Sequence, residues 1–129
     1  MTAIGSCLCG SVSFEVAGDL ADVNFCHCKQ CQQWHGNFAA YASCKSESLT
    51  FNSEGSLKWF LSSDVARRGF CNDCGSSLFW SRIGSDKISI AAGCLTESTG
   101  LRPNEHIFVE FKGSYYSIKD DLPKLDGDN

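Results

Sequence analysis

The sequence predicts an all-β fold in a single domain with at most one short helix. Three observations carry this. Apolar residues alternate with a period of two far more often than with the 3.6 of a helix. Twelve glycines against two prolines sit mainly between the alternating runs, where turns need residues that accept positive φ. Seven of the nine cysteines fall into three tight clusters that can staple distant strands together.

The elements follow in chain order. Residues 11–16 alternate with Val12, Phe14 and Val16 on one face, and Gly18-Asp19 ends the run. Residues 29–34 are the one stretch expected to be helical. Strands are expected over 38–44, 56–61, 65–70 and 77–81, with Gly55-Ser56 and Gly84-Ser85 as turns. Residues 87–92 repeat the alternation with Ile88 and Ile90, and 105–112 do so with Ile107, Val109 and Phe111. The core is expected over about 4–118 of a single domain spanning 1–129. The tail over 120–129, with four aspartates, one lysine and Gly127, has little to bury and is expected to fray.

Composition narrows the function. A chain of 129 residues buries roughly two thirds of its unfolded surface, enough for one core. Residues 1–6 show no basic region leading into an apolar run, and no later segment approaches about 18 uninterrupted apolar residues, so a cytoplasmic protein without a membrane partner is expected. Lys plus Arg is 11 against 15 for Asp plus Glu, and the only adjacent basic pair is Arg67-Arg68, which disfavours nucleic acid as a partner. An odd cysteine count in CxC and CxxC spacings favours metal over disulfides.

The clusters divide into a set of four and a set of three. Cys9-Gly10-Ser11-Val12-Ser13-Phe14 and Cys74-Gly75-Ser76-Ser77-Leu78-Phe79 share Cys-Gly-Ser-x-x-Phe, each beginning at the second cysteine of a pair. Two similar knuckles are implied, in which the glycine turns the backbone and aims N–H groups at the sulfurs. In extended chain a CxC pair sets both sulfurs on one face, with Cα atoms roughly 6.5–7 Å apart, a span that bending closes onto one ion. Cys7, Cys9, Cys71 and Cys74 are therefore assigned to a structural zinc, since such sites are saturated by four protein ligands.

Cys26, Cys28 and Cys31 form the second set. The first two share a face of extended chain, and the third lies one helical turn beyond the second. Three sulfurs converge with no fourth ligand at matching spacing, which predicts a second zinc with an open position of the kind catalytic sites keep. His27, His35, Cys44, Cys94 and His106 are the candidates to close it, although Cys44 and Cys94 sit in apolar segments and read as buried thiols.

Taken in order, Gly5-Ser6-Cys7-Leu8-Cys9-Gly10-Ser11-Val12, Cys26-His27-Cys28-Lys29-Gln30-Cys31, Phe70-Cys71-Asn72-Asp73-Cys74-Gly75-Ser76 and Leu101-Arg102-Pro103 with His106-Ile107 resemble the glutathione-dependent formaldehyde-activating enzyme family, the centromere protein V-like domain. The resemblance implies a zinc-stapled β-tent, with one zinc on the four cysteines and a second on Cys26, Cys28 and Cys31. It also implies a carbon–sulfur lyase-like enzyme that joins a small thiol, glutathione or similar, to an aldehyde as an S-hydroxymethyl adduct. Arg67, Arg68 and Arg102 are then expected to receive substrate carboxylates, with Trp34 and Phe38 walling the thiol pocket. The alternative is a zinc-stabilised binding module for a protein partner, without catalysis. Departures from the family pattern fall at Gln32-Gln33-Trp34-His35-Gly36-Asn37 and Tyr115-Tyr116.

Overall fold

A computed structural model describes residues 2–96 and 100–127. Its strands form two sheets. The smaller contains β1 (Thr2–Ser6), β2 (Ser13–Ala17) and β5 (Leu49–Ser53), all antiparallel, in the order β1-β2-β5. The larger contains β3 (Val23–Cys26), β4 (Ala39–Lys45), β6 (Leu57–Leu61), β7 (Ala66–Cys71), β8 (Ser77–Arg82), β9 (Lys87–Ala91) and β10 (Pro103–Ile107). They run in the order β10-β3-β4-β9-β8-β7-β6, and only β10 pairs with its neighbour β3 in parallel. No helix among the described residues is long and apolar enough to cross a membrane.

The main core lies between the sheets. Phe14 and Val16, the alternating residues of β2, are fully buried against Leu78, Phe79, Ile88 and Ile90 of the larger sheet. Phe14, Phe51 and Phe79 meet edge-on, with ring centroids 5.1–6.4 Å apart, the geometry that the ring quadrupole favours. A second, smaller core of Cys26, Cys31, Ala39, Tyr41 and Ile107 lies under the helix.

That helix is α1 (Lys29–His35), one residue longer than the sequence suggests. Cys28 caps it with extended backbone, its Sγ accepting from Cys31 N–H at 3.3 Å, and Gly36 ends it at φ 79°. Two cysteines of one cluster are therefore fixed by how the helix begins.

Three strands are not foreshadowed by the alternation: β1, β3 and β5 are short and carry glycine or asparagine. The run expected over 105–112 is two elements. β10 stops at Ile107, Phe108 takes a left-handed φ of 54°, and Val109–Phe111 wind as a 3₁₀ turn. The segment over 120–127, expected to fray, makes backbone hydrogen bonds to β10 and the turn after it. His106 N–H bonds Pro123 O at 2.9 Å, Leu125 N–H bonds His106 O at 2.9 Å, and Val109 N–H bonds Leu125 O at 3.0 Å, so this segment lies along β10. Leu125 also packs on the second core, which composition alone does not reveal. Residues 128 and 129 of the expected tail lie outside the described residues.

Candidate metal centres and the adjoining pocket

Cys7 and Cys9 lie in the turn joining β1 to β2, while Cys71 ends β7 and Cys74 lies in the turn that joins it to β8. The two turns share one construction. Cys7 N–H bonds Val12 O and Cys71 N–H bonds Ser76 O, both at 3.0 Å, and Gly10 and Gly75 take φ 83° and 81°. Amides then point at sulfur, Val12 N–H to Cys7 Sγ at 3.3 Å and Cys74 N–H to Cys71 Sγ at 3.4 Å. The Ser76 hydroxyl holds Cys74 well below the usual thiol range, to about 5, while burial pushes Cys7 up to about 11.

The four sulfurs fit a zinc ion. Cys7 Sγ lies 3.6 Å from Cys9 Sγ, and Cys9 Sγ lies 3.7 Å from Cys71 Sγ. A tetrahedral ion with Zn–S bonds of about 2.3 Å needs sulfurs about 3.8 Å apart, whereas a disulfide needs about 2.05 Å. All four ligand atoms lie within 4.8 Å of one another and all nine cysteines are free thiols. An ion held here would join the two sheets through these chain segments.

The second set is built by the end of β3 and the start of α1. Sulfurs of Cys26, Cys28 and Cys31 lie within 4.8 Å of one another, and among the described residues no fourth His, Cys, Asp or Glu atom joins them. Cys28 is held far below the usual thiol range by hydrogen bonds from Cys26 and Cys31, and Cys26 is raised by its bond to Cys28. Three sulfurs this close to one another suit a cation, which would favour all three as thiolates.

All three cysteines line a cavity of about 430 Å³, within the usual size range of small-molecule sites. Its floor is one face of the larger sheet. Arg68 pairs with Trp80, Trp80 with Ser89, and Ser89 with Ser43, so one side chain from each of β7, β8, β9 and β4 forms a row across it. Tyr41, two residues from Ser43, extends this floor beneath the cysteines, its hydroxyl 2.7 Å from His35 Nε2 and 3.3 Å from Arg68 Nη1. Phe108, the described non-glycine residue with positive φ, closes one side; strained backbone of this kind clusters at functional sites.

The sequence profile of the family described as "Glutathione-dependent formaldehyde-activating enzyme" matches residues 2–111. This chain belongs to that family. A relative named as an uncharacterized lyase, from Schizosaccharomyces pombe (strain 972 / ATCC 24843), is 29% identical over 77 residues, which is 59% of this chain and 55% of that protein. The match thus spans about half the length of that curated relative. A crystal structure of a Rhodobacter sphaeroides protein superposes with a TM-score of 0.63 at 23% identity, covering 78% of this chain and 97% of the other. That likeness shows a shared fold.

Of the residues singled out as pocket walls in this member of the formaldehyde-activating enzyme family, the structure brings Arg68 to the three cysteines and not the others. Arg67 points to the opposite sheet face, its guanidinium 4.0 Å over the Trp59 ring. Trp34 donates to Ser77 Oγ at 2.6 Å and stacks on Phe60. Phe38 packs on His27, Phe25 and Tyr116. Arg102 is exposed, and its N–H bonds Asp22 Oδ1 at 3.1 Å.

The candidate fourth ligands are also engaged elsewhere. His27 bonds Tyr116 and His106, and His35 bonds Tyr41. Cys44 lies in the main core, Cys94 Sγ donates to Ser77 O at 3.3 Å, and burial raises both thiols above their ordinary range. Tyr41, Trp80, Ser43, Ser89 and Phe108 were not singled out from sequence. Alternation places Tyr41 and Ser43 on one face of a strand, but nothing local says which strands lie beside it.

Proposed function

We propose that the protein is a zinc-dependent, carbon–sulfur lyase-like enzyme that takes a small thiol, glutathione or similar, at the Cys26–Cys28–Cys31 centre. There it forms or breaks an S-hydroxymethyl adduct with an aldehyde. One observation carries the reading: three converging sulfurs, with no fourth protein ligand among the described residues, on the wall of a cavity large enough for such a thiol. Membership of the family and the lyase name of the yeast relative support it.

Cys26, Cys28 and Cys31 would hold a zinc ion, which would supply positive charge that lowers the pKa of an incoming thiol. The balance is simple: the thiol sulfur forms a bond to the aldehyde carbon, the carbonyl π pair moves to oxygen, and the thiol proton ends on that oxygen. Reversal returns thiol and aldehyde. The chain's own residues hold the sulfurs in place, through the Cys28 cap of α1 and the β3–β4 pairing of Cys26 with Ala39. Trp80, Ile107 and Phe108 supply apolar surface around the reacting atoms, limiting water and strengthening local electrostatics.

Calorimetric titration of zinc-loaded protein with glutathione, with and without formaldehyde, tests the reading. Wild type should bind the thiol and Cys28→Ser should not. No binding by wild type, or equal binding by both, overturns it.

A further inference from the structure

Arg68 is 2% exposed. Among the described residues no carboxylate lies within ion-pair distance of it; the ion pairs there are His106–Asp120 and Lys124–Asp120. A guanidinium taken out of water without an opposite charge is costly, so its counter-ion must be close. Its donors reach Gln30 Oε1 at 3.1 and 3.0 Å, Tyr41 OH at 3.3 Å and Cys31 Sγ at 3.6 Å. Gln30 is neutral, and burial keeps the Tyr41 phenol protonated far above neutral pH. Of these hydrogen-bond partners among the described residues, the sulfur cluster is the one able to carry negative charge.

The two centres differ in the same respect. At the four-cysteine centre Cys9 is exposed and Cys74 half-buried, so water screens the charge, and the side-chain partners of its sulfurs are serine hydroxyls and other cysteines. At the three-cysteine centre Cys26 and Cys31 are buried. Three thiolates and one divalent ion leave a single negative charge, which one arginine cancels.

We propose that Arg68 is the counter-charge of the three-cysteine centre: it renders the loaded, buried centre electrically neutral and sets how tightly that centre holds its metal. The inference rests on the reading that this centre holds a divalent metal, and it makes Arg68 a positioning residue for the metal site instead of a receptor for substrate carboxylates. The competing role for Arg68 is mechanical. Its two hydrogen bonds to Gln30 clamp α1 to β7, and Gln30 Nε2 continues to Ser62 O at 3.0 Å.

Chelator competition with Co²⁺ and Zn²⁺, read by thiolate-to-cobalt absorbance and elemental analysis, separates these roles in wild type, Arg68→Met, Arg68→Lys and Gln30→Ala. The four-cysteine centre serves as an internal control for folding. Wild type should hold two ions per chain, and Arg68→Met should hold the second roughly 10-fold to 1000-fold more weakly, the range over which an opposite charge at this distance shifts a neighbour's ionisation. Arg68→Lys, which keeps the charge, should recover most of that loss, and Gln30→Ala should change it less than about tenfold. An unchanged second site in Arg68→Met overturns the inference alone, as does an equal loss in Arg68→Lys and Gln30→Ala. A single ion in wild type overturns both the inference and the metal reading beneath it.

Discussion

His27 Nε2 and His106 Nδ1 lie 2.8 Å apart with both rings buried, and this contact ties the cysteine-bearing end of β3 to β10. His27 stands between Cys26 and Cys28, its Nδ1 2.8 Å from Tyr116 OH, and His106 Nε2 lies 2.9 Å from Asp120 Oδ2. With both rings neutral the hydrogens can be placed in one way. The carboxylate only accepts, so His106 donates from Nε2, accepts from His27 at Nδ1, and His27 accepts the Tyr116 proton. Tyr116→Phe removes the last donor and leaves a buried ring nitrogen unpaired, a loss expected to cost about 1–3 kcal/mol in urea unfolding. Asp120→Asn keeps an accepting oxygen at an exposed position and should leave the urea midpoint nearly unchanged.

Truncation after Lys119 should destabilise the domain instead of trimming an inert tail. It removes the partner of His106, two backbone hydrogen bonds to β10 and the Leu125 contact with the second core. A loss of about 2–4 kcal/mol is expected from these terms together. Equal thermal midpoints for full-length and truncated protein would count against the docked arrangement.

Gly5 lies on β1 where the Phe14 ring covers it. A Cβ added there meets Phe14 side-chain atoms and Cys94 O, and Phe14 is fully buried between Phe51 and Phe79 with no room to yield. Gly5→Ala should cost about 1–3 kcal/mol in denaturant midpoint. Gly55→Ala, where nothing lies within 4 Å of the added carbon, is the control and should leave stability unchanged or slightly raised.

His35 provides a pH signature. Burial first, and Arg68 second, lower its pKa from 6.5 to about 4. The folded state therefore binds fewer protons than the unfolded chain between these values, so stability falls as pH drops through 6.5 and levels off below about 4. The ring is partly exposed, so the effect is on the order of 2 kcal/mol. His35→Gln, which can still bond Tyr41, should show a shallower fall over the same window; an unchanged slope would assign the pH dependence to other groups. His27 is shifted in the same direction and keeps part of the slope in the variant.

Metal removal should separate the two centres. The four-cysteine site joins turns from different sheets, and structural zinc sites contribute about 10 kcal/mol or more of apparent folding energy. Cys71→Ser is therefore expected to lose cooperative unfolding altogether. Cys28→Ser should fold with one ion per chain by elemental analysis, because its cluster lies within one short stretch and crosslinks nothing distant.

Much of this was legible in the residues. Period-two alternation located most strands, since a strand with one face on a core must alternate wherever its neighbours lie. Cysteine spacing grouped the ligands because CxC and CxxC geometry is local, and the Cys-Gly-Ser repeat described two turns that do share their hydrogen bonding and positive φ. The short strands β1, β3 and β5 escaped because their pairing, not their composition, makes them strands. The 105–112 run reads as one strand because alternation continues through position 108, but the backbone turns left-handed there.

By itself the sequence determined a β-rich chain and the membership of its two cysteine sets, properties fixed by local period and spacing. The tertiary structure alone decided that Arg68 and not Arg67 meets the second set, that Tyr41, Trp80, Ser43 and Ser89 share its floor, and that residues 123–125 lie along β10. The reason is physical: alternation sorts side chains between two faces, but which face carries the site depends on strand order across the sheet. That order is set by burying the whole core at once, through contacts between residues far apart in the chain.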